Sequence, residues 1–192
     1  LVLRRYGKAL VPSIDHERLL RHFSSDITVF QTGGVGLMRS PSFDCNSCDL
    51  TPLKFLYVGR IIRKKSLDVL IEVFNELGYH LTVVGNGEMF VDLKTRAKDN
   101  IIFRGHVRNE LLSSIYYSHS VFILPSLVEP WGLVVEEAIL HHLPVIVSSK
   151  VGCRTEIVEK SGCGVVFEAG SKEDLGRAIS EIVKKFSFYK EN

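Results

Sequence analysis

The residues best suited to chemistry lie in the segment from Pro125 to Ala138, which reads PSLVEPWGLVVEEA. Glu129 follows an apolar run that predicts a buried strand, and Glu137 comes eight positions later in a stretch that predicts a helix. A helix start carries unpaired backbone N–H groups and the positive end of the helix dipole, so it suits an anion such as a diphosphate. Carboxylates beside it can accept hydrogen bonds from sugar hydroxyls. The segment therefore predicts a phosphorylated, polyhydroxylated ligand.

Two cations follow an earlier predicted strand. Arg60 comes directly after Gly59, and Lys65 lies in the same loop. A guanidinium fork and a mobile ammonium can hold phosphate oxygens from two directions and stabilise the charge that grows on a departing diphosphate. The alternative, of equal weight from these residues alone, is that residues 63–65 form a solvated run of charge.

The other polar loops are less specific. Gly85-Asn86-Gly87 lacks the full G-x-G-x-x-G pattern, so a plain strand-to-helix turn explains it equally well. The backbone after Gly105 could contact a base edge, and His106 could equally be an exposed loop histidine. The pair at 141–142 ends a predicted helix, where positive charge suits the helix dipole better than it indicates a metal.

The acids at Glu129 and Glu137 have two further interpretations. They could be solvated, since acids near a helix start are favourable without a ligand. They could also flank a glycosidic bond, as in a glycosidase, although such acids usually come from separate elements across a cleft. The chain contains no Asp-x-Asp pair, which metal-dependent enzymes often use to hold a nucleotide diphosphate. The sequence therefore favours a metal-free grip by arginine and lysine.

These residues must be positioned by a repeated pattern of apolar strands and amphipathic helices. The predicted strands are 55–58, 81–84, 101–103, 121–124, 145–147 and 165–167. The predicted helices are 66–77, 88–98, 109–119, 133–142, 155–160 and 172–185. The alternation predicts an α/β fold with a Rossmann-like, doubly wound parallel sheet and helices on both faces. Each polar loop follows a strand, so all of them are expected at the carboxyl edge of the sheet, where such folds bind ligands.

The composition agrees with a globular protein. Of the 192 residues, 45% are hydrophobic and 24% are charged, and the net charge of +2 is too small to indicate nucleic acid. No apolar run approaches the roughly 20 residues of a membrane span. Residues 1–50 predict only about one βαβ unit followed by a polar linker. The chain begins with Leu1 rather than Met, so a fragment is expected.

The cysteines give no clear site. Cys45 and Cys48 have the spacing of half a zinc site or of a redox pair. Cys153 and Cys163 do not supply the second pair that a structural zinc site would need, and a proline soon after Cys48 argues against a thioredoxin-like helix. Incidental thiols in a linker, in a reducing cytoplasm, are the favoured interpretation.

Several motifs, taken in order, resemble a known family. These are Val58-Gly59-Arg60 with Lys65, VGNG at 84–87, EPWGLVVEEA at 129–138 and LPVI at 143–146. They are similar to the C-terminal domain of retaining glycosyltransferases of the GT-B fold, in the group 1 (family 4) class, over roughly residues 53–185. Residues 10–13 and 27–34 look like the end of the family's N-terminal domain and its interdomain crossover. The resemblance implies a remnant of the N-terminal acceptor domain with its linker at 1–50, and a nucleotide-sugar (donor) binding domain at 51–192.

The resemblance also implies roles. Arg60 and Lys65 would bind the donor diphosphate, Glu137 would hold the ribose hydroxyls, and Glu129 would lie by the donor sugar; these four are the predicted catalytic residues. The predicted donor-binding residues are Gly59, Gly85, Asn86, Gly105, His106, Val107, Pro130, Trp131, Gly132 and Leu133.

The activity that the resemblance implies is sugar transfer with retention at the anomeric carbon. The donor would be a UDP-, GDP- or ADP-sugar and the acceptor a saccharide or a lipid-linked group, in polysaccharide, lipopolysaccharide or glycolipid synthesis. No metal or other cofactor is expected, and no nucleic acid partner. The location would be the cytoplasm, at the inner face of the membrane, with peripheral association through the missing N-terminal domain.

Without that domain, this chain is expected to be an inactive donor-binding half. One alternative is a non-catalytic module that binds nucleotide-sugars. Another is a GT-B-like epimerase or phosphorylase.

The chain departs from the family pattern at three places. Ser66 and His142 each stand where the family usually has glycine. The sequence VGCRTE at 151–156 is a variant of the common Gly-Gly-x-Pro-Glu turn.

Overall fold

The computed structural model describes residues 7–23, 25–33 and 52–191, so Cys45 and Cys48 lie outside the described residues. The first part is a small unit of strand β1 (Lys8–Val11), helix α1 (Ile14–Phe23) and strand β2 (Thr28–Gln31). Its two strands pair in parallel, as the βαβ prediction requires. Leu10 lies opposite Phe30, and both side chains are exposed.

The second part contains one six-stranded sheet. Its strands are β3 (Lys54–Val58), β4 (His80–Val84), β5 (Ile101–Gly105), β6 (Val121–Leu124), β7 (Val145–Ser148) and β8 (Gly164–Phe167). They lie in the order β5-β4-β3-β6-β7-β8, and every neighbouring pair is parallel. This doubly wound order confirms the predicted fold class.

Helices cover both faces of this sheet. They are α2 (Leu67–Leu77), α3 (Phe90–Arg96), α4 (Asn109–Tyr117), α5 (Leu133–Leu140), α6 (Lys172–Lys184) and α7 (Phe186–Glu191). Short helical segments lie at Arg63–Lys65, a 3₁₀ turn, and at Arg154–Glu159, a π-helix. Within the described residues, none of the helices has the length and apolar character that crossing a membrane requires.

Burial along the strands follows from this layering. Every residue of β6 and β7 is buried, because helices cover both faces of the central strands. The edge strands β5 and β8 instead alternate between buried and more exposed positions. The core continues into α2, whose Phe74 meets Phe55 of β3 edge to face at 5.2 Å between ring centroids.

The predicted helix boundaries were partly wrong. The helix predicted over 88–98 is shorter, since Phe90 N–H closes a turn on the Gly87 carbonyl and Ala97 is already extended. The short helix predicted over 155–160 is the π-helix, shifted by one residue. Helix α7 was not predicted. Helix α6 agrees with its prediction, and the Ser171 hydroxyl caps it by accepting the Asp174 N–H at 3.1 Å.

The strand order fixes the location of a crevice. After β3 the chain moves to β4 on one side, whereas β6 lies on the other side of β3 and leads to β7. The loops that leave β3 and β6 therefore diverge, and open α/β sheets bind ligands outside the strand ends at such a switch point. The loop with Arg60 and Lys65 and the loop with Glu129 face this position.

Candidate functional site

A cleft of about 420 Å³ opens at the carboxyl ends of β3 and β4 and beside the start of α4. Six of the predicted site residues line it: Gly59, Arg60, Gly85, Asn86, His106 and Val107. The remaining lining residues are Val58, Val84, Asn109 and Leu112. The cleft has apolar walls and a rim of loops, and the exposed Arg60 supplies a cation at that rim.

Two glycines allow the loops of this cleft to touch backbone to backbone. A Cβ on Gly85 would lie 1.8 Å from the carbonyl oxygen of Gly59, and one on Gly87 would lie 2.2 Å from that of Ile61. The amide of Ile61 donates to the Asn86 carbonyl at 2.9 Å. The glycines are therefore required by close packing of two loops, and not only by a strand-to-helix turn.

A hydrogen bond from the core of the sheet holds the backbone of Arg60. The hydroxyl of Tyr57, a fully buried residue of β3, donates to the Arg60 carbonyl at 2.8 Å. Burial raises the pKa of Tyr57, and the negative charge of Glu129 adds to that effect. The phenol therefore keeps its proton and remains a donor. The apolar pattern around Tyr57 predicts only a buried strand and does not indicate this hydrogen bond.

Lys65 and Glu129 form an ion pair across the switch point. Their side chains are only 14% and 16% exposed. The two loops are also joined through the backbone, since Leu127 N–H donates to the Lys64 carbonyl at 2.8 Å. The structure thus brings together a cation and an acid that are 64 positions apart in the chain.

The loop that carries Glu129 is held on its other side by the segment after β7. Glu129 forms an isolated parallel bridge with Val151, and its carbonyl accepts the Gly152 N–H at 2.9 Å. A Cβ on Gly152 would lie 1.8 Å from the Pro130 carbonyl oxygen. This second glycine-dependent contact fixes the height of the Glu129 loop above the sheet.

Helix α5 begins at the predicted donor-binding residues. Gly132 precedes it with φ +102°, a left-handed conformation that suits glycine, and no side chain caps the first turn. The N–H groups of that turn therefore have no side-chain cap, and residues 130–133 are not among those that line the cleft. Trp131, largely buried, donates its indole N–H to Glu136 Oε1 at 2.6 Å, while Leu133 is exposed.

Glu137 lies farther along α5 and is not among the residues that line the cleft. Its Oε2 accepts the hydroxyl of Tyr116 at 2.8 Å. Tyr116 belongs to α4 and is buried, one helical turn beyond Leu112 of the cleft wall. Sequence reasoning missed Tyr116, because an apolar helix position gives no indication of which group its hydroxyl reaches.

A further contact joins the small N-terminal unit to the second part. Arg154 donates to Asp15 Oδ2 at 2.7 Å, and Glu156 Oε1 accepts the Ile14 N–H at 2.8 Å. The hydrogen bond from Arg154 lowers the pKa of Asp15. The variant turn at 151–156 thus contacts α1 through its side chains, which the sequence did not predict.

Among the described residues, Cys153 and Cys163 are buried free thiols. The described residues contain no group of three or more His, Cys, Asp or Glu side chains arranged to hold a metal ion. Burial raises the pKa of Cys153 to about 12, so its thiol is unreactive at neutral pH. His141 is engaged with the Glu137 carbonyl at 2.6 Å and with Ser113 Oγ at 2.5 Å.

Comparison with known families finds a match along most of the chain. The family described as glycosyl transferases group 1 matches residues 43–190. An uncharacterized glycosyltransferase of Methanocaldococcus jannaschii is 28% identical over 142 residues, covering 69% of this chain and 36% of that protein. The sulfoquinovosyl transferase of Arabidopsis thaliana is 35% identical over 123 residues, covering 62% of this chain and 24% of that protein.

A solved structure supports the fold. A mutant of TarM from S. aureus, in complex with fondaparinux, α-GlcNAc-glycerol and UDP, superimposes with a TM-score of 0.77 at 16% identity. The match covers 98% of this chain and 39% of that one. The chain therefore spans about a quarter to two fifths of the length of these proteins.

Proposed function

Because this chain belongs to the group 1 glycosyl transferases, we propose that it is the donor-binding half of an enzyme that transfers a sugar from a nucleotide-sugar to an acceptor. Residues 51–192 bind the donor, and residues 1–50 belong to the acceptor domain and the linker. The observation that carries the proposal is the Lys65–Glu129 pair at the switch point, beside the glycine-lined cleft.

Different residues bind different parts of the donor. The backbone of the loops after β3 and β4 and the cations of Arg60 and Lys65 hold the diphosphate. In transfer, the bond from the anomeric carbon to the diphosphate oxygen breaks and that oxygen keeps the electron pair. Arg60 and Lys65 then stabilise the charge more strongly in the transition state than in the bound donor. These two cations supply that charge without a metal or other cofactor.

The acceptor completes the reaction. Its hydroxyl oxygen forms the new bond to the anomeric carbon on the face that the diphosphate left, and its proton passes to the departing diphosphate. Glu129 lies by the donor sugar, Glu137 holds the ribose hydroxyls, and the backbone at Gly105–Val107 contacts the base. Glu129 is paired with Lys65 in this structure, so donor binding exchanges part of that pair for contacts with phosphate and sugar.

We further propose that the donor is a UDP-, GDP- or ADP-sugar. UDP is supported by its presence in the TarM complex. The acceptor is a saccharide or lipid-linked group in cell-surface polysaccharide or glycolipid synthesis. The reaction takes place in the cytoplasm, with the acceptor domain providing any association with the membrane.

Calorimetric titration of the chain with UDP, GDP and ADP tests this proposal. One of the three is expected to bind, and Lys65→Ala or Glu137→Ala is expected to weaken its binding by about 10-fold to 100-fold, or 1.4 to 2.7 kcal/mol. Lys172→Ala is the matched control, since Lys172 is an exposed lysine paired with Glu76 on α2, on another part of the molecule. Absence of binding by all three nucleotides would overturn the proposal.

Turnover separates a half-enzyme from a complete one. The chain alone is expected to bind the donor without releasing nucleotide in the presence of saccharide acceptors, and to gain activity when the acceptor domain is supplied. Nucleotide release that requires an acceptor but no second domain would contradict the assignment as a half. Binding that never leads to transfer, even in the full-length protein, would favour a non-catalytic nucleotide-sugar module.

A further inference from the structure

Tyr116 lies in the core between α4 and α5, yet its hydroxyl donates to a carboxylate to which the proposed function gives a role. The distance from the hydroxyl to Glu137 Oε2 is 2.8 Å, and Tyr116 is 1% exposed. We propose that Tyr116 is a positioning residue that holds Glu137 in the orientation that receives the ribose of the donor. This inference rests on the proposed function of Glu137.

The hydrogen bond leaves one oxygen of the carboxylate for a ligand. Glu137 Oε2 is occupied by Tyr116, and Glu137 is half-buried on α5. Because one oxygen is anchored, the other is directed to one position and does not sample all rotamers of a glutamate. Anchoring a side chain before binding reduces the entropy that the ligand contact must overcome.

The ring of Tyr116 is itself held in place. It stacks on His141 with 4.8 Å between ring centroids and an interplanar angle of 21°, and it packs against Phe122 of β6 at 6.0 Å. His141 is fixed in turn by the Glu137 carbonyl at 2.6 Å and by Ser113 Oγ at 2.5 Å. The contacts form a closed circuit from the Glu137 backbone through His141 and Tyr116 to the Glu137 carboxylate.

The direction of the hydrogen bond is set by burial. Burial raises the pKa of Tyr116, and the charge of Glu137 raises it further, so the phenol keeps its proton and donates. The Tyr116 hydroxyl therefore donates, and Glu137 Oε2 accepts. An acceptor is what the two hydroxyls of a ribose require, since each can donate.

A purely structural role of Tyr116 would give a different pattern of binding constants. Buried tyrosine hydroxyls usually find a partner, and that partner is often unrelated to ligand binding. In that case, loss of the hydroxyl would change stability and affect all ligands alike. A positioning role instead predicts a loss that depends on the presence of ribose hydroxyls.

The experiment compares a nucleotide with its analogue that lacks those hydroxyls. Calorimetry would give the Kd of UDP and of 2′,3′-dideoxy-UDP for the wild type and for Tyr116→Phe, with GDP or ADP and their dideoxy forms if UDP does not bind. Tyr116→Phe is expected to weaken UDP binding by about 5-fold, the effect of one hydrogen bond. It is expected to change the Kd of the dideoxy form by less than about 1.5-fold.

The chain contains a matched control. The hydroxyl of Tyr189 donates to Glu181 Oε1 at 2.9 Å, so Tyr189→Phe removes the same kind of hydrogen bond between α7 and α6. This variant is expected to leave both Kd values unchanged. If Tyr116→Phe does not fold, His141→Ala is the substitute variant. It removes the ring that stacks on Tyr116, and His141 is only half-buried. It is expected to weaken UDP binding by about 2-fold without affecting the dideoxy form.

Failure of this inference is distinguishable from failure of the proposed function. Suppose that Glu137→Ala abolishes the preference for UDP over its dideoxy form, but Tyr116→Phe weakens both nucleotides equally or weakens neither. The positioning role of Tyr116 would then be overturned, and the proposed function of Glu137 would stand. If Glu137→Ala did not change UDP binding, the role of Glu137 would fall and the inference with it. The inference would be supported if Tyr116→Phe weakened the binding of UDP but not of its dideoxy form in the wild-type background. Adding Tyr116→Phe to Glu137→Ala should then cause no further loss of UDP binding.

Discussion

The two halves of the carboxyl edge differ in the groups that they present at the ends of their strands. The first half consists of β3, β4 and β5 with the loops that follow them, and its cleft has apolar walls, glycines that bring the loops together, and Arg60 at the rim. The second half consists of β6, β7 and β8 with their loops, and it presents carboxylates that neighbouring groups hold in place. Glu136 is held by Trp131 and Glu137 by Tyr116.

Under the proposed function, this difference would match the diphosphate of the donor on one side and the hydroxyl groups of its ribose and sugar on the other. Phosphate oxygens are acceptors, so a surface of backbone N–H groups and cations suits them. Hydroxyl groups are donors as well as acceptors, so they need carboxylates with a fixed orientation. Both halves contain a glycine where two loops touch backbone to backbone, at Gly85 and at Gly152, and the second half adds aromatic donors that restrain its acids.

Adding a methyl group at the glycines should produce the largest effect. Gly85→Ala places a Cβ 1.8 Å from the Gly59 carbonyl oxygen at φ +135°, and should lower the free energy of unfolding by about 3 kcal/mol. Gly152→Ala meets the Pro130 oxygen at the same distance in the second half, without the unfavourable φ, and should cost about 2 kcal/mol. Urea denaturation measures both.

Gly176→Ala is the control for this pair. Gly176 lies inside α6, and a Cβ there would meet nothing within 4 Å, so the change should stabilise the protein by up to about 1 kcal/mol. An unchanged urea midpoint for Gly85→Ala would show that the first half does not depend on backbone contact.

The ion pair that joins the two halves should have the next largest effect. Lys65→Met leaves Glu129, which is 16% exposed, without its cation, and should lower the free energy of unfolding by about 2 kcal/mol. In a double-mutant cycle with Glu129→Leu, the coupling energy should be about 1 to 2 kcal/mol. The exposed pair Lys172–Glu76, at 44% and 62%, should give a smaller coupling energy, because solvent screens it. Equal coupling in the two cycles would mean that the halves are not joined electrostatically.

A buried histidine should make the first half sensitive to acid. His119 bonds Thr82 of β4 at 2.8 Å, and burial lowers its pKa, with the charges of Lys54 and Arg104 adding to that effect. The folded state therefore binds fewer protons than the unfolded state, whose histidine titrates near pH 6.5. Stability should be full above pH 6.5 and fall as the pH drops through that value, by at most about 1.4 kcal/mol per pH unit.

Urea denaturation at several pH values between 5 and 8 checks this expectation. His119→Gln should flatten the dependence, because it removes the titrating group. If the free energy of unfolding of His119→Gln falls as steeply as that of the wild type when the pH is lowered, the effect belongs to other groups.

The smallest effects are expected at two strained positions, one on each half. Ser66 and His142 are the only non-glycine residues with positive φ in the part of the chain that the structure describes, at 51° and 59°. Ser66→Gly and His142→Gly should each raise the free energy of unfolding by about 0.5 to 1 kcal/mol, since a left-handed backbone costs a side chain more than glycine. Ser180→Gly, in the middle of α6, should instead lower it by about 0.5 kcal/mol. Thermal denaturation of these three variants measures the effects. A lower stability of Ser66→Gly than of the wild type would contradict the strain argument.

The pattern of apolar runs predicted all six strands of the large sheet and their parallel class. Continuous burial in β6 and β7 matches the unbroken apolar sequences there. Helix ends were less predictable, as α3 shows, because a turn closed by Gly87 shortens it. The left-handed backbone at Ser66 and His142 lies at two positions where the resemblance led us to expect glycine.

The sequence alone therefore determined which residues follow strands, because alternation of strand and helix places every such loop at one edge of a parallel sheet. It could not decide which loops meet, since strand order is a property of the folded sheet. Only the tertiary structure placed Lys65 against Glu129 and closed Tyr116 onto Glu137. Both contacts join residues that are distant along the chain, and local pattern carries no information about such distances.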